Sequence, residues 1–436
     1  MPSALAVLPE PSAQIGEEAY ALAGEMFPIC RSITGDGVRS TLALMRKHVG
    51  IEVHEVPTGT RLFDWTVPKE WNIRAAHIKN ARGETIVDFR NSNLHVQSYS
   101  VPVARTMPLE ELKKHLHSLP DQPDIIPYRT TYWAENWGFC LPHALASKLP
   151  AGDYEVMIDS TLSDGSLTYG EYLHQGESDV EFLLTAHICH PSLANDNCSG
   201  LSLLTLLARH LNGVRTRLSY RFVFSPGTLG PLAWLAHNEA GVARVKYGLV
   251  VAGVGDGGGP TFKKSRNGNT PIDRIMPYVL KHGFDNPEVM EFEPYGYDER
   301  QFCSPGFDMP VGLLQRSRFG TFPQYHTSAD NMDFIAPRHL ASSFGAIWQA
   351  IQIAERDFTP LNLSPKGEPQ LGRRGLYAST GGTKDGPGAA MAMLWVLNQA
   401  DGSRTLLDIA ERSGLPFPTI LNAAGRLREA GLIAPA

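Results

Sequence analysis

The sequence predicts an α/β protein with a mostly parallel central sheet, a small inserted β domain and a C-terminal winged-helix-like module. Three observations predict it. From Trp137 to about Glu355, runs of strand length alternate with helical patterns, the rhythm of a parallel sheet flanked by helices. From about Val56 to Tyr132, short alternating runs are broken by Pro, Gly and Asn, as in a small β domain. Past a stretch rich in Gly, Pro, Lys and Thr, three short helical patterns close the chain.

The elements follow in order. Glu17 to Val49 reads as helical with a break at Pro28 to Gly37, after which Leu42, Leu44 and Met45 mark a second helix. Ile73 to Ile78 and Leu94 to Val101 read as strands of the β domain, which opens with the aromatic run Phe63 to Trp71. Strands are then expected at Glu181 to Ala186, Tyr220 to Phe224, Gly248 to Ala252 and Val311 to Leu314. Helices are expected at Leu201 to Leu211, Leu229 to His237, Pro271 to Lys281 and Arg338 to Glu355, and finally at Ala390 to Gln399, Leu406 to Arg412 and Pro418 to Ala430. These patterns place a discontinuous core at 15–57 and 137–360, the inserted β domain at 58–136, a linker at 361–387 and the winged-helix-like domain at 388–436.

Composition limits the function classes. With 39 Lys and Arg against 45 Asp and Glu, the formal charge is -6, no footprint for nucleic acid or an anionic membrane. No apolar run reaches the roughly 20 residues that span a bilayer. Met1 to Gln14 lacks a basic segment before a long apolar stretch and reads as a frayed tail, not a signal peptide. The five cysteines (Cys30, Cys140, Cys189, Cys198, Cys303) are scattered and odd in number, which points to a reducing cytoplasm and not to a disulfide framework. Neither Cys189 nor Cys198 sits in a CxxC pair, which argues against thiolate ligation. Residues 385–436 hold four basic and five acidic side chains. A packing or dimerisation surface, and hence a homo-oligomer, is therefore expected of that module in place of a DNA reader.

Chemistry concentrates at His187 to Gly200. A buried strand delivers His187 at its carboxyl end, where ligands collect in such sheets. A loop containing Pro191 and Asn195 follows, and Asp196 stands just before a helix that Ser199 can cap. Imidazole and carboxylate together suit zinc. A structural reading competes for each alone: a hydrogen-bonded core histidine and a helix-start carboxylate. A second polar cluster, Tyr325-His326-Thr327 with Asp330, follows the Val311 to Leu314 strand and supplies a third ligand, His326.

His187 with Asp196-Asn197-x-Ser199-Gly200, followed by Tyr325-His326-Thr327 and Asp330, resembles the signature of bacterial zinc aminopeptidases. The whole chain is similar to a group of aminopeptidase-like proteins with an inserted β domain and a C-terminal winged helix. The matching segments include Pro28 to Gly37, Phe63 to Trp71, Tyr128-Arg129-Thr130, Asn136 to Leu141, Phe262 to Arg266, Asp298 to Pro305 and Tyr325 to Ile335. The resemblance implies a zinc-aminopeptidase-like core, His187 on one zinc, Asp196 bridging two, His326 on the second, and a third carboxylate at Asp256. As an alternative, Asp256 is a turn residue before Gly257-Gly258-Gly259. Some members of the group are associated with polysaccharide or natural-product biosynthesis.

The chain departs from this pattern at one place. Where the peptidases carry a Glu–Glu pair, general base and then zinc ligand, this chain has Gly227 and Thr228. One zinc is therefore expected in place of two. Glu299, Asp298 and His190 are the candidates to replace the base, a function worth roughly 10²–10⁴-fold; His190 also reads as a structural residue beside Pro191. Tyr325, Arg266 and Arg316 are the substrate-side candidates, with Lys263, Lys264 and Arg318 as further cations for a carboxylate or phosphate.

Three functions compete. One is a zinc hydrolase acting on an amide or peptide bond of a small or short peptide-like substrate. Another is a non-hydrolytic zinc enzyme on the same scaffold, by acyl transfer or cyclisation. The last is a degenerate zinc-binding assembly module. The fold alone does not choose among them.

Overall fold

A computed structural model describes residues 8–376 and 387–436. The chain divides into two compact units, Leu8–Ala346 and Ile347–Ala436. Residues 1–7 of the expected tail and 377–386 of the expected linker lie outside the described residues.

The first unit is built on an eight-stranded sheet. Its order is Glu52–Pro57, Ser166–His174, Ser219–Ser225, Glu181–His187, Val245–Val251, Val311–Gln315, Thr261–Lys263, Glu288–Met290. The four middle strands, from Ser219–Ser225 to Val311–Gln315, run parallel. Antiparallel pairings join them to the strands on either side. Every residue of Glu181–His187 and Ser219–Ser225 is buried, as in strands covered on both faces, and the charged pair Arg221 and Glu181 is buried together. The helix Gly200–Leu211 follows the first of these strands and Leu229–Asn238 the second. Gly200 is required there: a Cβ on it would sit 2.4 Å from the carbonyl oxygen of Val251.

A four-stranded antiparallel sheet, ordered Thr85–Asp88, Glu70–Asn80, Asp153–Ser163, Val103–Pro108, forms the small β structure. Ala76, Ile78, Val87, Val156 and Ile158 are among its core residues. The boundary expected at 136 falls before Asp153–Ser163, the strand that pairs with Glu70–Asn80 along its length. Leu94 to Val101 is not a strand. It holds a single 3₁₀ turn at Asn93–His95 and a Tyr99 with φ of 73°. Its polar side chains are buried like its apolar ones: Gln97 donates to the Thr130 carbonyl (3.0 Å) and Ser100 to the Gln97 carbonyl (2.6 Å). The alternation therefore reports hydrogen-bonded packing, not a half-solvated face.

In the second unit, the helices Pro387–Gln399, Leu406–Ser413 and Phe417–Glu429 accompany a two-stranded antiparallel sheet of Pro360–Asn362 and Ile433–Pro435. The Thr405 hydroxyl accepts from the Asp408 amide (3.2 Å) and the Asp408 carboxylate from the Thr405 amide (2.9 Å), a reciprocal cap that starts the middle helix. Among the described residues, no helix is long and apolar enough to cross a membrane.

Candidate functional site

The carboxyl ends of the middle strands gather the chemistry. His187 is the last residue of its strand and 1% exposed. The loop after it turns back so that Asp196, also 1% exposed, places Oδ1 2.8 Å from His187 Nε2. The contact lacks the alignment of a hydrogen bond, and Nε2 has no hydrogen-bond partner. His326, from the distant loop and with φ of 53°, sets its Nε2 3.0 Å from the other oxygen, Oδ2. His190 completes the cluster. Its ring lies 4.8 Å from that of His187 and 5.1 Å from that of His326, measured between centroids. One ligand atom from each of His187, His190 and Asp196 falls within 4.8 Å of the others.

The loop is held from behind. The backbone amides of Asn195 and Asp196 donate to the two oxygens of buried Asp330 (2.6 and 3.0 Å). Arg31, 1% exposed, donates to the His190 carbonyl (2.9 Å), the Met26 carbonyl (2.6 Å) and the Cys198 sulfur (3.1 Å). Ser199 stands at the helix start but does not cap it. Its hydroxyl donates to the Asn195 carbonyl (2.6 Å), and the Gly200 amide is taken by Asn197 Oδ1 (3.1 Å). Tyr297 covers the front: its ring stacks on His187 at 4.0 Å and its hydroxyl reaches both Asp196 oxygens, at 2.7 and 2.9 Å.

Burial pushes the Asp196 carboxyl up, but the His190, His187 and His326 imidazoles outweigh it and hold it well below the usual range. Burial drives His190 well below its ordinary value, so its imidazole is neutral. Burial lifts the Tyr297 phenol, and the Asp196 charge adds to it, so this group is a neutral donor. Asp330 is pushed up to about 8 by burial, against the pull of the Asn195 amide.

A cavity of about 460 Å³ opens beside these groups. Its walls include His190, Tyr297, Asp298, Tyr325 and His326 from the sheet-end loops, and Tyr128, Arg129, Tyr132 and Trp133 from the segment that precedes Asp153–Ser163. Tyr325 stacks on His326 at 4.0 Å. Asp298 faces the cavity, 2% exposed. Its Oδ1 accepts from the Thr228 amide (2.8 Å), its buried Oδ2 has no partner, and burial raises its carboxyl to about 6. A Cβ added at Gly227 would lie 3.8 Å from Asp298 Oδ1 and 4.0 Å from the His187 Cβ, so Asp298 stands next to the space that Gly227 leaves open.

Other expected residues sit elsewhere. Glu299, though adjacent to Asp298, is fully buried against Lys263 Nζ at 2.5 Å and does not line the cavity, because consecutive residues of a helical turn point about 100° apart. Asp256 is a strut and not a member of the ligand cluster. It accepts from Asn195 Nδ2 (2.8 Å), the Ser317 hydroxyl (2.6 Å) and the Gly258 amide (2.7 Å), the last being the turn contact. Arg266 pairs with Asp308 on the surface (2.8 Å), and Arg316 is buried outside the cavity walls. Lys264 and Arg318 are occupied by Glu291 and Glu288. Tyr297, Arg129 and Arg300 were not singled out from the sequence, although Tyr297 and Arg300 flank the recognised pair Asp298-Glu299 and Arg129 lies in the matched run Tyr128-Arg129-Thr130.

The cluster fits a divalent cation. A buried, unpartnered imidazole nitrogen beside an ionised carboxylate, with a neutral second imidazole at hand, is the donor set of zinc.

Comparison with known proteins agrees with this architecture. Residues 20–357 match a family described as a domain of unknown function (DUF4910), and residues 358–435 match a winged helix-turn-helix family. A Clostridium acetobutylicum protein named for polysaccharide biosynthesis and for an aminopeptidase-like domain is 50% identical over 422 residues, 97% of each chain. A crystal structure from the same organism, described as that of a peptidase, shares 49% identity at a TM-score of 0.92, covering 97% of this chain and 96% of that one. BSAP, a zinc aminopeptidase from Bacillus subtilis, has the same fold at 15% identity, with a TM-score of 0.57 over 80% of this chain and 96% of its own.

Proposed function

The chain belongs to the family of the DUF4910 domain and carries its aminopeptidase-like fold, and from that premise we propose that it is a zinc-dependent hydrolase of an amide or peptide bond in a small substrate. The observation that carries the reading is the Asp196 carboxylate set between His187 and His326, with His190 beside it, where His190 and His326 line a cavity. His187, His190 and Asp196 would hold the ion, with His326 on the second oxygen of Asp196. A zinc ion there would supply Lewis acidity, polarising the scissile carbonyl and making water acidic enough to attack near neutral pH.

The protein groups do the rest. Asp298, with its free Oδ2 and a pKa of about 6, takes a proton from the attacking water and returns it to the leaving amine. Tyr297 fixes both Asp196 oxygens and thereby the ligand geometry. The segment containing Tyr128, Tyr132 and Trp133 walls the cavity and limits substrate size. The name of the Clostridium relative points to a polysaccharide pathway, and five unpaired thiols suit a reducing cytoplasm.

Zinc analysis tests the reading. Purified protein loaded with zinc and dialysed is expected to retain one ion per chain, and His187→Ala to lose it; equal zinc retention by the two proteins would overturn the assignment. Gly227 and Thr228 favour a second reading, in which an amine replaces water as the attacking group and the product is a new amide. Product analysis separates the two, since only hydrolysis yields a free acid.

A further inference from the structure

Two guanidinium groups line the cavity, and neither is held in an ion pair among the described residues. Arg300 and Arg129 both contribute to its walls. The Nε of Arg300 is buried and has no hydrogen-bond partner. Among the described residues, neither side chain forms an ion pair, whereas Lys263, Lys264, Arg266 and Arg318 each have a carboxylate. A buried donor left unpaired is disfavoured, so such a group in a cavity wall marks where a ligand supplies the acceptor.

The balance of charge agrees. Asp298 is the one carboxylate among the cavity-lining residues. Gly227 and Thr228 bring no acid to receive an ammonium group, and with a divalent ion at Asp196 the site is net positive. Against the single carboxylate of Asp298, an incoming amine would meet two guanidinium groups and a cation, whereas an anion would meet three attractive centres.

We propose that the substrate is an anion, bearing a carboxylate or phosphate that Arg300 and Arg129 bind while its scissile bond lies at His187 and Asp196. The second half of this statement rests on the zinc reading above; the first half does not. Planar guanidinium groups take either oxyanion bidentately, and both acids offer the same paired oxygens.

The test uses succinic acid monohydroxamate, its terminal amide and its phosphonate counterpart, titrated into the zinc-loaded full chain by calorimetry. The acid or the phosphonate is expected to bind at least tenfold more tightly than the amide. Whichever of the two binds better names the source of the oxyanion. Arg300→Gln is expected to abolish the preference without weakening the amide, Arg129→Gln to reduce it, and Arg300→Lys to restore part of it. If all three probes bind alike, or the preference survives in both glutamine variants, the anion proposal falls while the zinc reading stands. If no hydroxamate binds, the zinc reading falls, and glutarate titrated into the metal-free chain decides the anion proposal. Saturable binding that is lost in Arg300→Gln supports it; no binding overturns it.

Discussion

Replacing Asp298 by Asn separates the cost of this carboxylate from its use. In the folded chain burial lifts it from an ordinary 3.8 to about 6. Below 3.8 both folded and unfolded chains hold the proton, and the group is neutral to stability. Between 3.8 and about 6 the unfolded chain releases the proton first, so stability falls as pH rises; above 6 the loss is complete. At about 1.4 kcal/mol per unit, a rise of roughly two units makes this loss about 3 kcal/mol. Asn keeps the acceptor for the Thr228 amide at 2.8 Å and cannot ionise. Urea unfolding of the metal-free chain at pH 4 and pH 8 should therefore show a drop for the wild type that exceeds the variant's by about 2–3 kcal/mol. In the zinc-loaded protein the same variant should lose roughly 10²–10⁴-fold in kcat on any amide substrate that the wild type turns over. Parallel pH dependences in the two chains would refute the burial argument. Full activity in the variant would refute the assignment of Asp298 as base.

Three further outcomes follow from the same geometry. The Cβ of Gly227→Glu meets Cys189 Sγ at 3.5 Å, Asp298 Oδ1 at 3.8 Å and the His187 Cβ at 4.0 Å, all ordinary contact distances, so the variant should fold and, loaded with zinc, gain hydrolysis of aminoacyl p-nitroanilides; no gain would show that this position is not where a base is missing. Tyr297→Phe removes two bonds to Asp196 and should weaken zinc binding about 10–100-fold in a competitive chelator titration, and unchanged affinity would deny Tyr297 its positioning role. Arg39→Met breaks pairs to Glu55 and Glu70 at 2.9 and 2.7 Å, which tie the helix Asp36–Met45 to the strands Glu52–Pro57 and Glu70–Asn80. It should cost about 1 kcal/mol by urea denaturation, less at high salt, and a loss that salt leaves unchanged would point to packing by the side-chain stem in place of charge.

The sequence carried the sheet because burial writes itself into composition. Phe182, Leu183, Leu184 and Ala186 make an apolar run, as a strand covered on both faces needs, and the strand lies in the middle of the sheet. His187 and Asp196 were legible because a strand end and a helix start fix where they must be, and His326 because Tyr325-His326-Thr327 resembles a known motif. What the sequence could not carry was direction. Asp298 and Glu299 are neighbours with the same chemistry, and a turn of roughly 100° sends one to the cavity and the other to Lys263. Arg266 and Arg129 look equally available in one dimension, yet among the described residues only Arg266 of the two forms an ion pair, with Asp308 on a loop 42 positions along the chain. Leu94 to Val101 misled for a related reason: buried polar side chains that find carbonyl acceptors mimic the polar half of a strand.

The place of Asp256 bears on the chemistry as well as on the count of ligands. It is bound to Asn195, Ser317 and Gly258, and Asn195 in turn donates its backbone amide to Asp330. Both carboxylates therefore spend their oxygens on shaping the loop that presents Asp196, and Asp196 alone brings negative charge to the ligand cluster. An ion bound by one carboxylate and neutral imidazoles keeps more of its charge than one shared among several acids. With zinc bound, that retained charge would act on whatever enters the cavity, in the same direction as Arg129 and Arg300. With no acid at Gly227 or Thr228 and Asp256 held in the scaffold, the electrostatics run one way under the proposed reading: each would make the cavity a worse receptor for an amino terminus and a better one for an oxyanion.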